Sequence, residues 1–294
     1  MLHSKRLWLF VISLAVLGLI PRIAFSDKKP KNKGTIEPVT ASTEIITGSK
    51  LSIEQMEQFL LNAQVKRTKG VSKGIAGTIR ATLSDGKMTH DAHITTIDEE
   101  KPRFEGTRGV ELNFRDTYRF DIGAWRLGRM LGLASMIPIS VDRRYQGKSG
   151  TFTWWVDNVL MDEETRMKKH MTPPDNDAWG LQMYIVRVFD QLIYNTDRNL
   201  GNLLIDKSWH LWMIDHTRAF RLHRNLENVK NLVKGDRVLL DNLKALNQET
   251  LDRELKGFVR PAEIKGMLAR RDLILQFFEK QGQASLYDWL KKPM

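Results

Sequence analysis

The chain has 294 residues, of which 41% are hydrophobic and 28% charged, so it can bury one large core or two lobes and is not a disordered chain. Lys and Arg number 46 against 35 Asp and Glu, a net charge of +11 that favours anionic partners such as phosphorylated ligands, acidic substrates or an anionic membrane surface. No arginine-rich run indicates nucleic acid. The absence of cysteine excludes disulfides, thiolate nucleophiles and cysteine metal ligands.

Residues 1–26 are organised like a targeting segment. Lys5 and Arg6 precede an apolar run over residues 7–20, and the small residues Ala24 and Ser26 suit cleavage after Ser26. The run is short for a spanning helix, which needs roughly 20 apolar residues. We expect a signal peptide or an N-terminal anchor, and hence an exported protein in the periplasm, a secretory lumen or the medium. The polar residues 27–50 are expected to form a flexible tether.

Residues 51–160 predict a small, sheet-rich lobe. Ser52 followed by Gln55 is a capping-box pattern and predicts a short helix. A glycine-rich loop and an antiparallel hairpin with the turn SDG, residues 84–86, are expected next. A helix packed on that sheet is expected within YRFDIGAWRLGRMLGL, and two more strands joined at QGKSG. The loop glycines are Gly70, Gly74 and Gly77.

Residues 161–294 predict a mainly helical lobe. Residues 178–195 are mostly apolar, with Asp175 or Asp177 available as the N-cap, which is typical of a buried helix. The strand patterns LLID and LWMID follow, and the chain beyond Arg221 has the pattern of amphipathic helices. With a linker near residues 155–162, the whole predicts an α+β, two-lobed fold.

Three polar side chains follow the long helix at intervals that a core does not require. Asp197 and Asn202 fall in one loop, and Asp215 ends the second strand, which the hairpin folds back towards that loop. Mg²⁺ prefers oxygen ligands that it shares with substrate phosphates, and phosphoryl transfer needs a carboxylate to orient the acceptor hydroxyl. The spacing therefore predicts a phosphotransfer site. The structural alternative is that Asp197 caps a helix and Asp215 pairs with an arginine.

The segment FDQLIYNTDRNLGNLLI, followed by LWMIDHTRAF, resembles the catalytic core of atypical kinases. These are the secretory-pathway Golgi casein kinase and four-jointed group, the type II phosphatidylinositol 4-kinases and the HipA-type kinases, which share N-x-D-R and I-D-x-x-x-A-F. The resemblance is specific over residues 189–220 and weaker over YRFDIGAWRLGRML and TFTWWVDNVL. It implies a protein-kinase-like fold with an N-lobe over residues 51–160 and a C-lobe over residues 161–294.

Carried onto this chain, the resemblance assigns roles to individual residues. Asp197 would be the base that orients the acceptor hydroxyl of a protein, sugar or lipid. Asn202 and Asp215 would hold Mg²⁺ or Mn²⁺ on the phosphates of ATP. The WWVDN segment would be the hinge between the lobes, where Val156 and Asp157 would meet the adenine.

The chain departs from this kinase pattern at the phosphate-binding lysine. The families pair a strand lysine with a helix glutamate, whereas here His93 or Ile94 occupies the lysine slot and Asp121 stands where the glutamate is expected. A neutral imidazole cannot replace a permanent cation, so Lys87 or Lys101 would have to reach the phosphates from a neighbouring position. The sequence therefore also fits a pseudokinase that binds nucleotide or a protein partner without turnover.

Three charged or titratable neighbours of the site have two interpretations each. Arg198 and Arg218 could bind phosphate or could neutralise the clustered acids. His216 directly follows Asp215 and is expected to form hydrogen bonds around the site instead of binding the metal. A basic adaptor at an anionic surface is a third hypothesis, but it leaves the set of two acids and an amide unexplained.

Overall fold

The computed structural model describes residues 51–70, 78–106 and 109–290. The expected leader at residues 1–26, the tether at residues 27–50 and the loop glycines Gly74 and Gly77 lie outside the described residues and stay predictions. Within these ranges, no helix combines the length and the apolar character that crossing a bilayer requires.

The N-terminal lobe consists of helix α1 (Ile53–Asn62), helix α2 (Arg119–Met130) and two sheets. Its strands are β1 (Gln64–Gly70), β2 (Thr78–Ser84), β3 (Thr89–Thr95), β4 (Asp98–Gly106), β5 (Gly109–Thr117), β6 (Ser140–Tyr145) and β7 (Lys148–Trp154). Five of them form an antiparallel sheet in the order β1–β2–β3–β7–β6, and β4 pairs with β5 as a separate hairpin.

Local sequence signals explain most of this lobe. The Ser52 hydroxyl accepts a hydrogen bond from the backbone N–H of Gln55 at 3.2 Å, and the Gln55 side chain accepts one from the N–H of Ser52 at 2.8 Å, so the predicted capping box is confirmed. The predicted β2–β3 hairpin is also confirmed. Its turn contains Gly86 at φ +88°, a left-handed conformation that favours glycine.

Helix α2 packs on the inner face of the five-stranded sheet, as the sequence predicted. Phe120, Ile122, Trp125 and Leu127 on this helix are buried to 1% exposure or less. The indole N–H of Trp125 donates to the Glu57 carboxylate on α1 at 3.0 Å, which satisfies a polar group that burial would otherwise leave costly. The position of α2 brings its first turn to the boundary between the lobes.

The β4–β5 hairpin was not predicted from the sequence. The residues of β4 read DEEKPRFEG and are nearly all exposed, so they lack the apolar alternation that identifies a half-buried strand. Only the second half of β5, Phe114–Thr117, is buried, and there Thr117 N–H donates to the carbonyl of Thr217 in the C-terminal lobe at 2.9 Å. The hairpin is thus held by contacts to a distant part of the chain.

The C-terminal lobe is mainly helical. It contains β8 (Val159–Asp162), α3 (Glu163–Lys168), α4 (Asn176–Ile193), β9 (Leu203–Asp206), β10 (Leu211–Met213), β11 (Gly235–Asp236), α5 (Arg237–Ala245), α6 (Gln248–Glu254), α7 (Pro261–Gln281) and β12 (Leu286–Tyr287). Strands β8, β9 and β10 form one small antiparallel sheet, and β11 pairs with β12 in parallel. Asp175, the first of the two candidate caps, accepts from Ala178 N–H at 2.9 Å and begins α4.

The predicted α+β class, with a sheet-rich first lobe and a mainly helical second lobe, is confirmed. One detail differs from the prediction. Residues 222–236 are mostly irregular, with one short 3₁₀ turn at Val229–Asn231, so the later helices begin only at Arg237. The boundary proposed between residues 160 and 161 stays a prediction; both residues belong to β8, which pairs with β9.

A buried arginine on α7 fixes the chain on both sides of the 194–220 segment. Arg270 is fully buried; its Nε donates to the carbonyl of Leu192 at 2.8 Å, and its Nη1 donates to the carbonyls of Arg221 at 3.0 Å and of His223. The ring of Tyr194 lies 5.4 Å from the guanidinium carbon. Burial lowers the pKa of Arg270 to about 9, because the main-chain carbonyls replace only part of the lost water.

We predict that Arg270→Met lowers the free energy of unfolding by about 3 kcal/mol, because it leaves buried carbonyls without a donor. Urea unfolding measures the loss. Arg253→Met is the matched control, since Arg253 is an exposed arginine on α6, and it is expected to stay within about 0.5 kcal/mol of the parent protein. A loss at Arg270 no larger than that of the control would contradict the prediction.

Candidate active site

A cleft of about 560 Å³ lies between the two lobes. The five-stranded sheet and the first turn of α2 form one wall, and the 197–202 loop, β9 and the segment after β10 form the other. One end is apolar, with Ile137, Val156, Leu204 and Met213 in its lining. The other end is polar. The volume lies within the range of roughly 300–1,000 Å³ that is typical of small-ligand sites.

The polar end of the cleft contains the three side chains that the sequence singled out. Asp197, Asn202 and Asp215 all line it. The Asn202 amide nitrogen lies 3.4 Å from Asp215 Oδ2 and donates to the Asp197 carbonyl at 3.3 Å. Asp215 has φ +57°, which turns the chain sharply after β10 and directs this residue towards the loop. The structure therefore brings the predicted set together.

The 197–202 loop is fixed by hydrogen bonds to its own residues and to β10. Asn199 Oδ1 accepts from Gly201 N–H at 2.9 Å, which caps a short 3₁₀ turn that ends at Asn202. The Asn202 carbonyl then accepts from Ile214 N–H at 3.1 Å. This bond joins the loop to the residue just before Asp215, so the two ligand positions have a fixed separation.

Arg198 holds this arrangement from behind. Its Nε donates to both oxygens of Asp190 on α4, at 3.0 and 3.2 Å, and its Nη1 donates to the carbonyls of Asn202 and Ile214 at 3.0 and 2.7 Å. The side chain is mostly buried and does not line the cleft. Of its two interpretations, these contacts support the neutralising and structural one.

Arg218 also lies between acids. Its Nε donates to Asp116 Oδ2 at 2.7 Å, and its Nη1 is 3.6 Å from Asp197 Oδ2. Asp116 is buried at the base of the β4–β5 hairpin. A cation at this distance favours the ionised form of the Asp197 carboxyl, the form that a base requires. The Asp116–Arg218 pair orients that cation.

Asp121 and two histidines form a buried polar group behind Asp215. The backbone N–H of His216 donates to Asp121 Oδ1 at 2.7 Å, and His216 Nδ1 is 3.7 Å from the same oxygen. Burial raises the pKa of Asp121 to about 6 and lowers the pKa of His216 to about 3. Asp121 therefore links the first turn of α2 to the segment that carries Asp215, and His216 lines the cleft beside both of them.

His93 lies on β3 next to Ile94, the other candidate for the lysine slot, and it lines the cleft. Burial lowers its pKa from the usual value, although Asp121 and Asp215 oppose this shift. Asp215 shows the opposite shift: the cleft exposes it to solvent, but the protein around it removes part of its hydration and raises its pKa. At neutral pH, His93 is therefore an uncharged imidazole.

The remaining predicted residues are divided between the cleft and the surface. Val156 lines the apolar end, as the hinge prediction requires. Asp157 is outside the lining, with a largely exposed side chain 2.8 Å from His90 Nε2. Lys101 lies on the β4–β5 hairpin, where its ammonium is 2.9 Å from Glu99, and it does not line the cleft. The structure thus does not bring Lys101 or the Asp157 side chain to the other site residues.

Asp116 and Asp190 were not singled out in the sequence, although each positions an arginine beside the 197–202 loop. A signal existed for Asp190, because a lone carboxylate within the apolar helix YIVRVFDQLI needs a buried partner. No comparable signal marks Asp116, whose strand carries mixed polar residues.

The lining of the cleft contains acids but, among the residues described, no lysine or arginine. The described chain also contains no cluster of three or more His, Asp or Glu side chains arranged to hold a metal ion. A metal here would therefore depend on the Asn202–Asp215 pair and on oxygens from a ligand or water.

Comparisons with known proteins give one similar solved structure to report and no matching family. No family model matches the chain, and no curated protein matches it. Among solved structures, the chain is similar to the proinflammatory kinase CtkA of Helicobacter pylori, with a TM-score of 0.44 and 11% sequence identity. That likeness covers 75% of this chain and 95% of the other. The function is therefore argued from the geometry of the site.

We predict that Asp121→Asn removes a pH dependence of stability. Asp121 titrates near 3.8 when unfolded and at about 6 when folded, so the folded state binds more protons and wild-type stability falls as the pH rises through 6. The loss is on the order of 3 kcal/mol. Asn cannot ionise but can still accept from His216 N–H, so the melting temperature of the variant should rise relative to wild type between pH 4.5 and 7.5.

Differential scanning fluorimetry across this pH range, with a chelator present, measures the difference. Asp252→Asn, an exposed acid on α6, serves as control and should give a constant difference. The same constant difference for Asp121→Asn would contradict the prediction.

Proposed function

We propose that this protein is an ATP-dependent phosphotransferase that transfers the γ-phosphoryl group to a hydroxyl acceptor. The observation that carries this proposal is the meeting of Asp197, Asn202 and Asp215 at the polar end of an interlobe cleft whose other end is apolar. Nucleotide binding needs both ends of the cleft. The adenine ring is flat and apolar, whereas the phosphates need a metal ion and polar groups.

The residues present fit a divalent cation of the Mg²⁺ or Mn²⁺ type. Such ions prefer oxygen ligands and are usually held by one or two protein groups together with substrate phosphates. Asn202 and Asp215, 3.4 Å apart, supply an amide and a carboxylate, and the amide can present its oxygen after a half-turn. The bound cation would neutralise the charge that develops on the phosphates.

Asp197 is the candidate base. Its side chain is partly accessible, so an acceptor hydroxyl can reach it from the cleft. Arg218 favours its ionised form, and the Asp197 carboxylate can then accept the hydroxyl proton as the new P–O bond forms. The backbone bond from Asp197 N–H to Asn195 Oδ1, at 3.0 Å, keeps the residue in place for this task.

The apolar end of the cleft is the candidate adenine site. Val156 lies two residues after the end of β7, and Leu204 of β9 and Met213 of β10 line the same cleft. This is the hinge position that the kinase resemblance implies. The acceptor hydroxyl could belong to a protein, a sugar or a lipid, and the chemistry of an aspartate base does not distinguish among them. The N-terminal residues 1–26 support the further proposal that the protein works after export.

A pseudokinase is the second candidate, and one observation favours it. The described lining of the cleft offers no lysine or arginine to the phosphates, and His93 is neutral at pH 7. A site of this kind can bind nucleotide through its apolar end and a metal without positioning the phosphates for transfer.

We predict that the full chain transfers phosphate from ATP in the presence of Mg²⁺ or Mn²⁺, and that Asp197→Asn and Asp215→Asn each lower kcat by about 10²–10⁴-fold. A radiolabelled-ATP assay that follows both acceptor labelling and ADP release measures the rates. Asp241→Asn is the matched control, because Asp241 is an exposed acid on α5 that does not line the cleft. Equal rates for the parent protein and all three variants would refute the proposed phosphotransferase activity.

Nucleotide binding, compared with turnover, separates the two candidates. We predict that ATP with Mg²⁺ at about 100 times its Kd raises the melting temperature by a few degrees, since binding to the folded state alone contributes about 2.7 kcal/mol. Asn202→Ala should lose the metal-dependent part of the shift, and Asn225→Ala, in an exposed loop, should keep it. A shift without turnover would establish the pseudokinase; no shift at all would refute both candidates.

A further inference from the structure

A second cavity, of about 380 Å³, lies on the other side of the β4–β5 hairpin from the cleft. Its walls are the outer half of β5, the start of α2, the segment Phe220–His223 and the first turn of α7. The two cavities have no lining residue in common. They share a wall, because Arg115 and Phe120 line this cavity while their neighbours Asp116 and Asp121 line the cleft.

One side of this cavity is apolar and accessible. Val110, Leu112 and Leu222 are 53%, 66% and 41% exposed, and all three line it. Phe120 and Phe220 form its floor as a tilted pair with ring centroids 5.3 Å apart. Exposed aliphatic side chains around an aromatic floor favour an apolar ligand body, because covering them removes apolar area from water.

The other side of the cavity is charged, and its cations are buried. Arg115 and Arg221 are only 6% and 4% exposed. Arg115 Nη1 donates to Glu263 Oε1 at 2.5 Å, and Arg221 Nε lies 2.8 Å from Glu111 Oε1. Burial lowers the pKa of Arg221 from its usual value, although Glu111 opposes this shift.

Each of these arginines also retains an unused donor. The Nε–H of Arg115 and that of Arg221 have no acceptor in hydrogen-bond geometry among the described residues. Glu100 Oε1, 3.3 Å from Arg115 Nε, and Glu111 Oε1, 2.8 Å from Arg221 Nε, are ionic neighbours towards which these N–H groups do not point. A buried donor without an acceptor is energetically costly, so a ligand oxygen that accepts from it relieves that cost.

The charge balance sets the charge of such a ligand. Three glutamates lie beside the two arginines: Glu263 and Glu100 at Arg115, with Glu100 shared with Arg260, and Glu111 at Arg221. Glu111 is the carboxylate that a ligand at Arg221 would replace. Glu263 is buried and also accepts from Arg260 N–H at 2.7 Å, whereas Glu111 lies on the protruding half of the hairpin and is partly exposed. A ligand that replaces Glu111 at Arg221 and keeps the site neutral has a single negative charge.

We propose that this cavity is a binding site for a small amphipathic carboxylate, whose carboxylate pairs with Arg221 in place of Glu111 and whose apolar body covers Val110, Leu112 and Leu222. The volume of about 380 Å³ is at the lower end of small-ligand sites and suits a short aliphatic chain.

Isothermal titration calorimetry of the full chain with octanoate tests the proposal. Saturable binding with one ligand per chain is expected, and it should be at least tenfold tighter than the binding of the neutral analogue 1-octanol. No nucleotide is needed, so the result is independent of the phosphotransfer proposal. If 1-octanol binds as tightly as octanoate, the proposal is overturned, because the arginines would then contribute nothing to the binding affinity.

The proposal predicts opposite effects of two substitutions on octanoate binding. Arg221→Gln should weaken octanoate binding at least tenfold, because it removes the cation. Glu111→Gln should tighten it several-fold, because it removes the competing carboxylate and leaves the fold of the exposed hairpin unchanged. If Arg221→Gln does not fold, Glu111→Gln decides alone: unchanged or weaker binding in that variant would overturn the proposal.

Discussion

The candidate active site depends on the hydrogen bonds of one side chain, Arg198. This arginine joins Asp190 on α4 to the carbonyls of Asn202 and Ile214, so it ties a helix, a loop and a strand end together at one point. A carboxylate and two carbonyls compensate the buried charge, which would otherwise be costly. This clamp reinforces the backbone bond from Ile214 N–H to the Asn202 carbonyl, which joins the loop to the residue before Asp215.

Other arginine–carboxylate pairs join separate elements in the same way across the boundary between the lobes. Asp116 on the β4–β5 hairpin orients Arg218, and Arg218 in turn lies beside Asp197. Glu263 on α7 accepts from Arg115 of the same hairpin. Because these pairs are buried, their geometry is specific, and removing one partner would leave an uncompensated charge. The hairpin therefore contributes to the position of Asp197 and the 197–202 loop.

The electrostatics of the cleft contrast with those of the whole chain. The protein carries a net charge of +11, yet the described lining of the cleft has acids and a neutral histidine and no lysine or arginine. Arg198 pairs with Asp190, and Arg218 lies between Asp116 and Asp197; neither arginine lines the cleft. A cation bound by Asn202 and Asp215 would thus be the main positive charge available to phosphates, which makes nucleotide binding strongly dependent on the metal in either functional candidate.

The sequence by itself determined the local features, because each of them depends on contacts within a few residues or on a simple period. These features are the capping box at Ser52, the turn at Gly86, the apolar helix α4 and the spacing of Asp197, Asn202 and Asp215. Only the tertiary structure decided the β4–β5 hairpin, the partners of Arg198 and Arg218, and the surface position of Lys101. Those features rest on pairs far apart in the chain, such as Arg218 with Asp116, and on burial, which no residue pattern encodes locally.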